Sequence, residues 1–197
     1  MSATTEETPL ATRIELRRFV GRELLLWLWF ESEIFEGTLW TKEHGSFGMW
    51  LEGRLVLADL LHWASEMKPD HIVDLATLTG AALIAMGDWV NAIMGTDQKL
   101  VERLLDAGNA TGEHIWQLPL VEEYRDSLRS PLADLKNITG IRWGGTIAAG
   151  LFLSEFVDHP SWAHVDLSGC WSSKERDYRP YGPSGEGPRF LLDWIMS

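Results

Sequence analysis

The 197-residue sequence contains a single cysteine, Cys170. One thiol cannot form an intramolecular disulfide, so the disulfide-stabilised domains of secreted proteins are excluded and a reducing compartment is indicated. Basic residues are also few, because 17 Lys and Arg stand against 29 Asp and Glu and give a formal net charge of −12. A surface that binds nucleic acid needs clustered Lys and Arg, so this balance predicts no nucleic-acid partner.

Long apolar runs are missing as well. The most apolar stretch, residues 24–30, is far shorter than the roughly 20 residues that a membrane-spanning helix needs. Residues 1–9 are acidic and polar, unlike a signal peptide. The sequence therefore predicts a cytoplasmic protein with no membrane partner, whose hydrophobic content of 45% is enough for one globular domain or slightly more.

Tryptophan is the residue that the chain has in excess. The sequence contains 11 of them, and a group falls in the first third of the chain, at Trp27, Trp29, Trp40, Trp50 and Trp63. Tryptophan is enriched at the energetic centres of protein interfaces, so an exposed cluster here would indicate a binding or oligomerisation module. This pattern allows the chain to form a homo-oligomer, with a second copy of itself as the partner.

The hydrophobic periodicity divides the chain into three segments. Residues 1–12, rich in Thr and Glu, predict a disordered tail. Residues 13–51 predict a helix at 14–35 followed by two short strands at 38–41 and 46–51. Residues 52–197 alternate helical and strand patterns, which predicts an α/β fold, namely a layered α/β/α domain with a mixed, mostly parallel sheet.

The predicted elements of the α/β domain follow from apolar spacing and from Gly and Pro punctuation. Continuous apolar runs at 71–75 and 163–167 are typical of parallel strands that are buried on both faces. The predicted strands are 71–75, 91–95 and 163–167, and the predicted helices are 55–67, 79–86, 98–107, 121–129, 146–157 and 189–196.

Several blocks of residues 52–197 occur in the order found in one peptidase family. The blocks are Glu52–Asp59, Val73–Ala81, Trp116–Leu120, Ser130–Ile138, Gly145–Leu153, Trp162–Gly169 and Tyr181–Gly185. Together they resemble the leucyl aminopeptidases of family M17. The resemblance implies part of the M17 catalytic-domain fold, and metal-dependent removal of N-terminal residues from peptide substrates. That family uses two divalent metals, Zn or Mn, and bicarbonate.

The signature motif of the family matches this chain only in part. It reads Asn-Thr-Asp-Ala-Glu-Gly-Arg-Leu, and its Asp and Glu both hold metal; residues 48–55 occupy the same eight positions. The resemblance implies a metal-binding role for Glu52 and a catalytic, bicarbonate-holding role for Arg54, whereas Trp50 stands where the family has Asp. It further implies that the substrate's N-terminal residue contacts Thr77, Leu78 and Gly80.

The chemistry of the motif residues argues against a metal centre. An indole has no free lone pair for a metal, and residues 1–51 do not match the family strands that bring the other ligands. We therefore expect no bound metal and no catalysis. In an extended segment Trp50 and Glu52 would share a face. Glu52 is interpreted as a cap of the helix predicted from Leu55 or as a solvated residue, with weak metal binding as the alternative. Arg54 is interpreted as an anion site at the start of that helix or as a surface ion pair.

A second, shorter resemblance concerns the N-terminal segment. Residues 18–30 resemble a helix of the RdgC recombination-associated DNA-binding proteins. This resemblance implies a chimera joined near Leu51–Glu52.

Three functions are compatible with these features. The favoured one is a truncated or chimeric leucyl-aminopeptidase-like domain that has lost catalysis, so its status as an enzyme stays open. One alternative is a binding or oligomerisation module that uses the Trp-rich surface. The other is a working metalloaminopeptidase with a site rebuilt from Glu52, Asp74 and His44, although the histidines show no spacing typical of a metal site.

Overall fold

The computed structural model describes residues 17–18, 24–25, 49–172, 174–175, 179 and 181–197. Near the N-terminus, strand β1 (Arg17–Arg18) pairs antiparallel with strand β2 (Leu24–Leu25). The helix predicted for residues 14–35 is therefore wrong at these four residues. The sequence between the two strands contains Gly21, which disfavours helix.

Other N-terminal predictions lie outside the described residues. These are the rest of the 14–35 helix, the tail at 1–12, the strand at 38–41 and the first part of the strand at 46–51. The last part of that strand is wrong, because residues 49–51 belong to a helix. Met, Leu and Glu are good helix formers, which favours the continuation of the helix backwards from Leu55.

Helices and strands alternate through the rest of the chain. The helices are α1 (Met49–Glu66), α2 (Gly80–Met86), α3 (Gln98–Thr111), α4 (Gly145–Ser154) and α5 (Pro188–Met196), with a 3-10 helix at Glu122–Leu128. The strands are β3 (Ile72–Ala76), β4 (Val90–Gly95), β5 (His114–Gln117), β6 (Trp162–Asp166), β7 (Trp171–Ser172) and β8 (Gly182–Pro183).

A four-stranded sheet in the order β3-β6-β4-β5 forms the centre of the domain. β3 is parallel to β6, with Asp74 opposite His164, and β4 is parallel to β5. β4 runs antiparallel to β6. The sheet is thus mixed and mostly parallel, as the sequence predicted.

Each face of this sheet is covered by helices. On the first face, which we call the apolar face, β3, β4 and β6 pack against α3 and α5 around Leu104 and Phe190. On the second face, which we call the site face, Ile72 and Trp162 pack against α1 and α4. This arrangement confirms the layered α/β/α fold, and it follows from the alternation of side chains along each strand.

Several elements differ from those that the sequence predicted. α3 continues past Gly108 to Thr111 and is capped by Gly112, which takes a left-handed conformation with φ 75°. Gly108 is accommodated within the helix because a Cβ atom there would lie 2.7 Å from Cδ1 of Ile115, so the absence of a side chain permits close packing on β5. Residues 122–128 form a 3-10 helix rather than the predicted α-helix. α4 ends at Ser154, three residues early.

None of the helices in the described part of the chain combines the length and the apolar composition that crossing a membrane would require.

Candidate functional site

A cavity of about 200 Å³ opens on the site face, where the parallel strands β3 and β6 end. Its wall is formed by Arg54 of α1, by residues 78–80 after β3, by residues of the 138–141 loop, and by Gly145, Ala148 and Ala149 of α4. Ligand sites of open α/β sheets form outside the carboxyl ends of the strands, and this cavity lies at such an edge.

Arg54 brings the positive charge to the cavity. It is the sixth residue of α1, so the prediction that it stands at the start of its helix is wrong. Its Nη1 donates a hydrogen bond to the carbonyl oxygen of Asn137, and its guanidinium carbon lies 5.9 Å from the centroid of the Phe152 ring. Burial lowers the pKa of Arg54, and the charge of Asp166 opposes this shift.

The backbone around Glu52 differs from the predicted one. Glu52 is the fourth residue of α1, so the interpretation of Glu52 as a cap of a helix from Leu55 is wrong. Positions 50 and 52 are also helical rather than extended. They are therefore separated by about 200° around the helix axis and do not share a face. The metal-binding role of Glu52 stays a prediction.

The loop after β3 carries the predicted substrate contacts. Leu78 and Gly80 line the same cavity as Arg54, as expected if the three residues belong to one pocket. Thr77 is exposed and is not part of the cavity wall. Thr79, which the sequence did not single out, lines the cavity, and its Oγ1 caps α2 by accepting a hydrogen bond of 3.0 Å from Ala82 N.

Asp166, the last residue of β6, is buried and bonded to this loop. Its Oδ1 accepts hydrogen bonds from Leu78 N at 3.0 Å and from Thr79 N at 3.2 Å. Its Oδ2 accepts a third bond, of 2.6 Å, from the Thr79 hydroxyl. A buried carboxylate is costly unless several donors compensate for lost hydration, and here three donors converge on it.

A second buried carboxylate, Asp74 of β3, lies on the same face of the sheet as Asp166. It is opposite His164, which precedes Asp166 by two residues in β6. Asp74 and His164 are both fully buried, and Asp74 Oδ1 lies 2.5 Å from His164 Nδ1. Its Oδ2 accepts a bond of 2.7 Å from Trp162 Nε1. Burial lowers the pKa of His164, but the charge and hydrogen bond of Asp74, together with the charge of Asp166, outweigh it, so the pKa is raised.

These contacts bear on the two-metal centre that the family uses. Within the part of the chain that the structure describes, no three His, Cys, Asp or Glu residues converge in a way that could hold a metal ion. Asp74 uses both oxygens on His164 and Trp162. His44 lies outside the described residues. The described donors therefore do not fit a two-metal centre, and the pair Asp74 and Glu52 gains no support as a rebuilt one.

Comparison with known proteins now adds to this geometry. Residues 51–192 match the model of the cytosol aminopeptidase family, catalytic domain. The chain belongs to this family. The mixed sheet of this chain, with its cavity at the carboxyl ends of β3 and β6, is consistent with part of a cytosol aminopeptidase catalytic domain.

The curated relatives are considerably longer than this chain. A protein named "Probable cytosol aminopeptidase" from Synechococcus elongatus is 54% identical over 147 residues, which cover 74% of this chain and 30% of the relative. A protein of the same name from a Geobacter species is 49% identical over 145 residues, which cover 73% and 29%. The chain thus matches less than a third of these relatives' length.

Solved structures give the same result. A structure described as the bottromycin maturation enzyme BotP in complex with Mn is 39% identical, with a TM-score of 0.69. The match covers 73% of this chain and 33% of that one. A second structure of the bottromycin maturation enzyme BotP superposes with a TM-score of 0.70. The described fold is therefore shared with these solved structures.

Proposed function

We propose that this chain retains the substrate-binding side of a cytosol aminopeptidase catalytic domain, that it works in the cytosol, and that it does not hydrolyse peptides by itself. The observation that carries the proposal is a contrast within one motif. Arg54 and the loop with Leu78 and Gly80 surround one cavity, whereas Trp50 stands at the position of a metal-binding Asp.

The cavity wall supports binding of an amino-terminal residue. Ile138 and Ile141 supply apolar surface, and Arg54 supplies a positive charge that suits a carbonyl or carboxylate oxygen. Leu78 and Ala148 add apolar surface on the opposite elements. A cavity that combines apolar side chains with charged and hydroxyl groups fits a peptide whose first side chain is apolar, such as a leucyl peptide.

The donor inventory supports the loss of hydrolysis. Two metals in such a site lower the pKa of the attacking water and polarise the scissile carbonyl, and binding alone supplies neither effect. Trp50 cannot replace a carboxylate ligand. Asp74, which the rebuilt-site alternative requires as a ligand, has both carboxylate oxygens bonded to other side chains, those of His164 and Trp162.

A chimeric origin is part of the proposal. The family match begins at residue 51, close to the join expected at Leu51–Glu52. Thermal unfolding followed by circular dichroism, and limited proteolysis, of residues 49–197 (which keep α1 whole) beside the full chain would test whether the remainder contributes to a common folding unit. If both proteins unfold with the same midpoint, the two segments are energetically independent, as a chimera predicts.

Three measurements on the same sample test the function. Isothermal titration calorimetry with leucine amide should give saturable binding that weakens at least tenfold in Arg54→Ala. Hydrolysis of leucyl-p-nitroanilide should equal that of buffer, with or without Mn²⁺ or Zn²⁺, and dialysed protein should hold far less than one metal per chain. Lys99→Ala, which removes an exposed positive charge of α3 on the opposite face of the sheet, is the matched control for the loss of charge.

The rebuilt-site alternative makes the opposite prediction. Metal-dependent release of leucine that disappears in Glu52→Ala would overturn the inactive proposal. We also expect that Trp50→Asp alone does not restore turnover, because the ligands from the family's preceding strands have no counterpart in residues 1–51. Turnover in Trp50→Asp would show that the remaining ligands are present after all.

The oligomerisation alternative rests on the tryptophans. Trp63 of α1 is 39% exposed, and Val56, about two turns earlier on the same side of the helix, is also exposed. Trp27, Trp29 and Trp40 lie outside the described residues. Multi-angle light scattering at several concentrations tests whether a homo-oligomer forms, and Trp63→Gln should weaken it if α1 takes part.

A further inference from the structure

The cavity owes the shape of one wall to a buried carboxylate that does not line it. Asp166 is 1% exposed. It accepts three hydrogen bonds from Leu78 and Thr79, which belong to the wall. We infer that Asp166 is a positioning residue, which fixes the 78–80 loop and, through Thr79, the first turn of α4 in the arrangement that binds the ligand. This inference rests on the proposed function, because it assigns Asp166 to the same cavity.

The order of protons in the network follows from the ionised carboxylate. Asp166 can only accept, so the Thr79 hydroxyl must donate its one proton to Oδ2 at 2.6 Å. The Thr79 oxygen then accepts from Ala82 N. It also lies 3.1 Å from the Thr146 hydroxyl, and with its proton already committed it must accept there too. Asp166 thereby sets the direction of the hydrogen bond between Thr79 of the loop and Thr146 of α4.

This network joins two pieces of the cavity wall that are distant in sequence. Thr79 follows β3, and Thr146 lies in the first turn of α4, beside the lining residues Gly145 and Ala148. Gly145 also allows the close approach, because a Cβ atom there would lie 3.0 Å from the Cβ of Ala81. A shift of the loop would therefore change the separation of the two walls that face the ligand.

Helix capping alone does not explain the carboxylate. Thr79 Oγ1 caps α2 directly, and this bond needs no partner from β6. The two bonds of Oδ1 go instead to Leu78 N and Thr79 N, which precede the helix. A buried charge is retained at a cost, and charge-assisted bonds to backbone N–H groups fix geometry better than neutral ones.

The experiment separates the loss of the carboxylate from the loss of its charge. Asp166→Ala removes both acceptor oxygens and the three hydrogen bonds that they accept. Leucine amide should therefore bind at least tenfold more weakly, and the amides of Leu78 and Thr79 should exchange hydrogen at least tenfold faster relative to the core amide of Ile93. Asp166→Asn keeps Oδ1 for both amides, and its Nδ2 can donate to Thr79, which then donates to Thr146. We expect this variant to stay within about threefold of the unchanged chain in both measurements.

Variants of Thr79 provide a second route in case Asp166→Ala does not fold. Thr79→Val keeps the shape and removes the hydroxyl, so it should weaken leucine amide binding severalfold, and Thr79→Ser should restore it. Asp74→Asn is the matched control, because this carboxylate is equally buried on the same face but bonds to His164 and Trp162 rather than to the loop. It should lower stability and leave the relative exchange of Leu78 and Thr79 unchanged.

The outcomes also distinguish this inference from the proposed function. If the unchanged chain binds no leucine amide, the proposed function fails and the role of Asp166 in ligand binding fails with it, while the exchange rates still report whether Asp166 holds the loop. If leucine amide binds and Asp166→Ala or Thr79→Val leaves both affinity and exchange within twofold of the unchanged chain, the positioning role is wrong and the proposed function stands.

Discussion

The two faces of the central sheet are built from the same strands and differ in chemistry. On the apolar face, Val73 and Val165 pack with Leu104 in a core of hydrophobic side chains. On the site face, the neighbouring strand positions are Asp74 and His164, which are equally buried. Since successive side chains of a strand point to opposite faces, β3 and β6 carry both environments within five residues each.

This difference shows what each face contributes. The apolar face stabilises the fold through buried area and close packing, which tolerate changes that conserve volume. The site face depends on matched donors and acceptors, where each partner is irreplaceable because a lone buried polar group is costly. The cavity lies on the second face, where polar groups are already held in fixed positions.

The largest effect that tests this contrast is expected at Asp74. Asp74→Ala leaves His164 Nδ1 and Trp162 Nε1 buried without an acceptor, so the free energy of unfolding should fall by about 3–5 kcal/mol. Asp74→Asn conserves the shape but turns one of the two acceptors into a donor, which then faces the N–H of His164 or Trp162, and it should also destabilise strongly. Urea unfolding followed by tryptophan fluorescence measures both.

The apolar face supplies the matched control for that isosteric change. Leu104 of α3 is fully buried, and Leu104→Met nearly conserves its volume. The free energy of unfolding should fall by less than about 1.5 kcal/mol. If Leu104→Met cost as much as Asp74→Asn, the two faces would not differ in how they tolerate shape-conserving changes.

A smaller effect is expected where the apolar face does contain a carboxylate. Glu113, just before β5, is buried and accepts bonds from Gly187 N at 2.7 Å and Phe190 N at 3.3 Å, at the start of α5. Glu113→Gln keeps one acceptor and turns the other into a donor, so the free energy of unfolding should fall by about 1–3 kcal/mol. Thermal or urea unfolding measures this loss.

The control for Glu113 is an exposed glutamate of α3. Glu102 is bonded to Gln98 at the surface, and Glu102→Gln should change stability by no more than about 0.5 kcal/mol. Equal losses in the two variants would mean that the Glu113 bonds do not stabilise the start of α5.

The pH dependence of stability tests the site face by a different route. The pKa of His164 is raised in the folded chain, because Asp74 and Asp166 outweigh the effect of burial. A raised folded pKa stabilises fully below the unfolded value of about 6.5, and this stabilisation is lost as the pH rises through the folded pKa. The unchanged chain should therefore lose up to about 1.4 kcal/mol per pH unit in that window from this one proton.

Comparison with two variants isolates the His164 contribution. In urea unfolding between pH 6 and 9, His164→Asn should show a flatter dependence than the unchanged chain, whatever its absolute stability. Leu104→Met removes no titratable group and should keep the original slope. A slope that is unchanged in His164→Asn would contradict a raised pKa at this residue.

The sequence predicted the sheet better than the site. Apolar runs at 71–75 and 163–167 identified β3 and β6 because burial on both faces leaves a continuous hydrophobic signal. β5 was missed, since His114–Gln117 alternates exposed and half-buried residues over only four positions. α1 was predicted to start six residues late, because residues 46–51 have a short alternating sequence pattern, whereas residues 49–51 are helical.

The site was predicted only as far as the family motifs reach. Arg54, Leu78 and Gly80 were identified by resemblance, and they share the cavity. Asp166 and Thr79 were not singled out, because their role depends on β6 lying beside β3, which local periodicity does not encode. An available signal was an Asp at the carboxyl end of one buried strand and a Thr that precedes the small-residue helix after the other.

The smallest expected effect lies at Asp97, at the start of α3 on the apolar face, and it should respond to pH in the opposite direction. Asp97 Oδ1 accepts a bond of 3.0 Å from Lys99 N, and Oδ2 accepts one of 2.6 Å from the Ser161 hydroxyl. Asp97→Ala should lower the free energy of unfolding by about 1 kcal/mol, whereas Asp97→Ser, which still caps the helix, should cost only a few tenths.

The acid side of the stability curve completes this last test. The Ser161 bond lowers the pKa of Asp97 in the folded chain against the opposing effect of burial, and the bonds from the backbone lower it further. A lowered folded pKa stabilises above the unfolded value of about 3.9, and this is lost as the pH falls through the folded pKa. Asp97→Ser should therefore match the unchanged chain at pH 7 and lose less stability on acidification. If it instead behaves like Asp97→Ala at pH 7, the bond to Ser161, rather than the helix cap, is what Asp97 contributes.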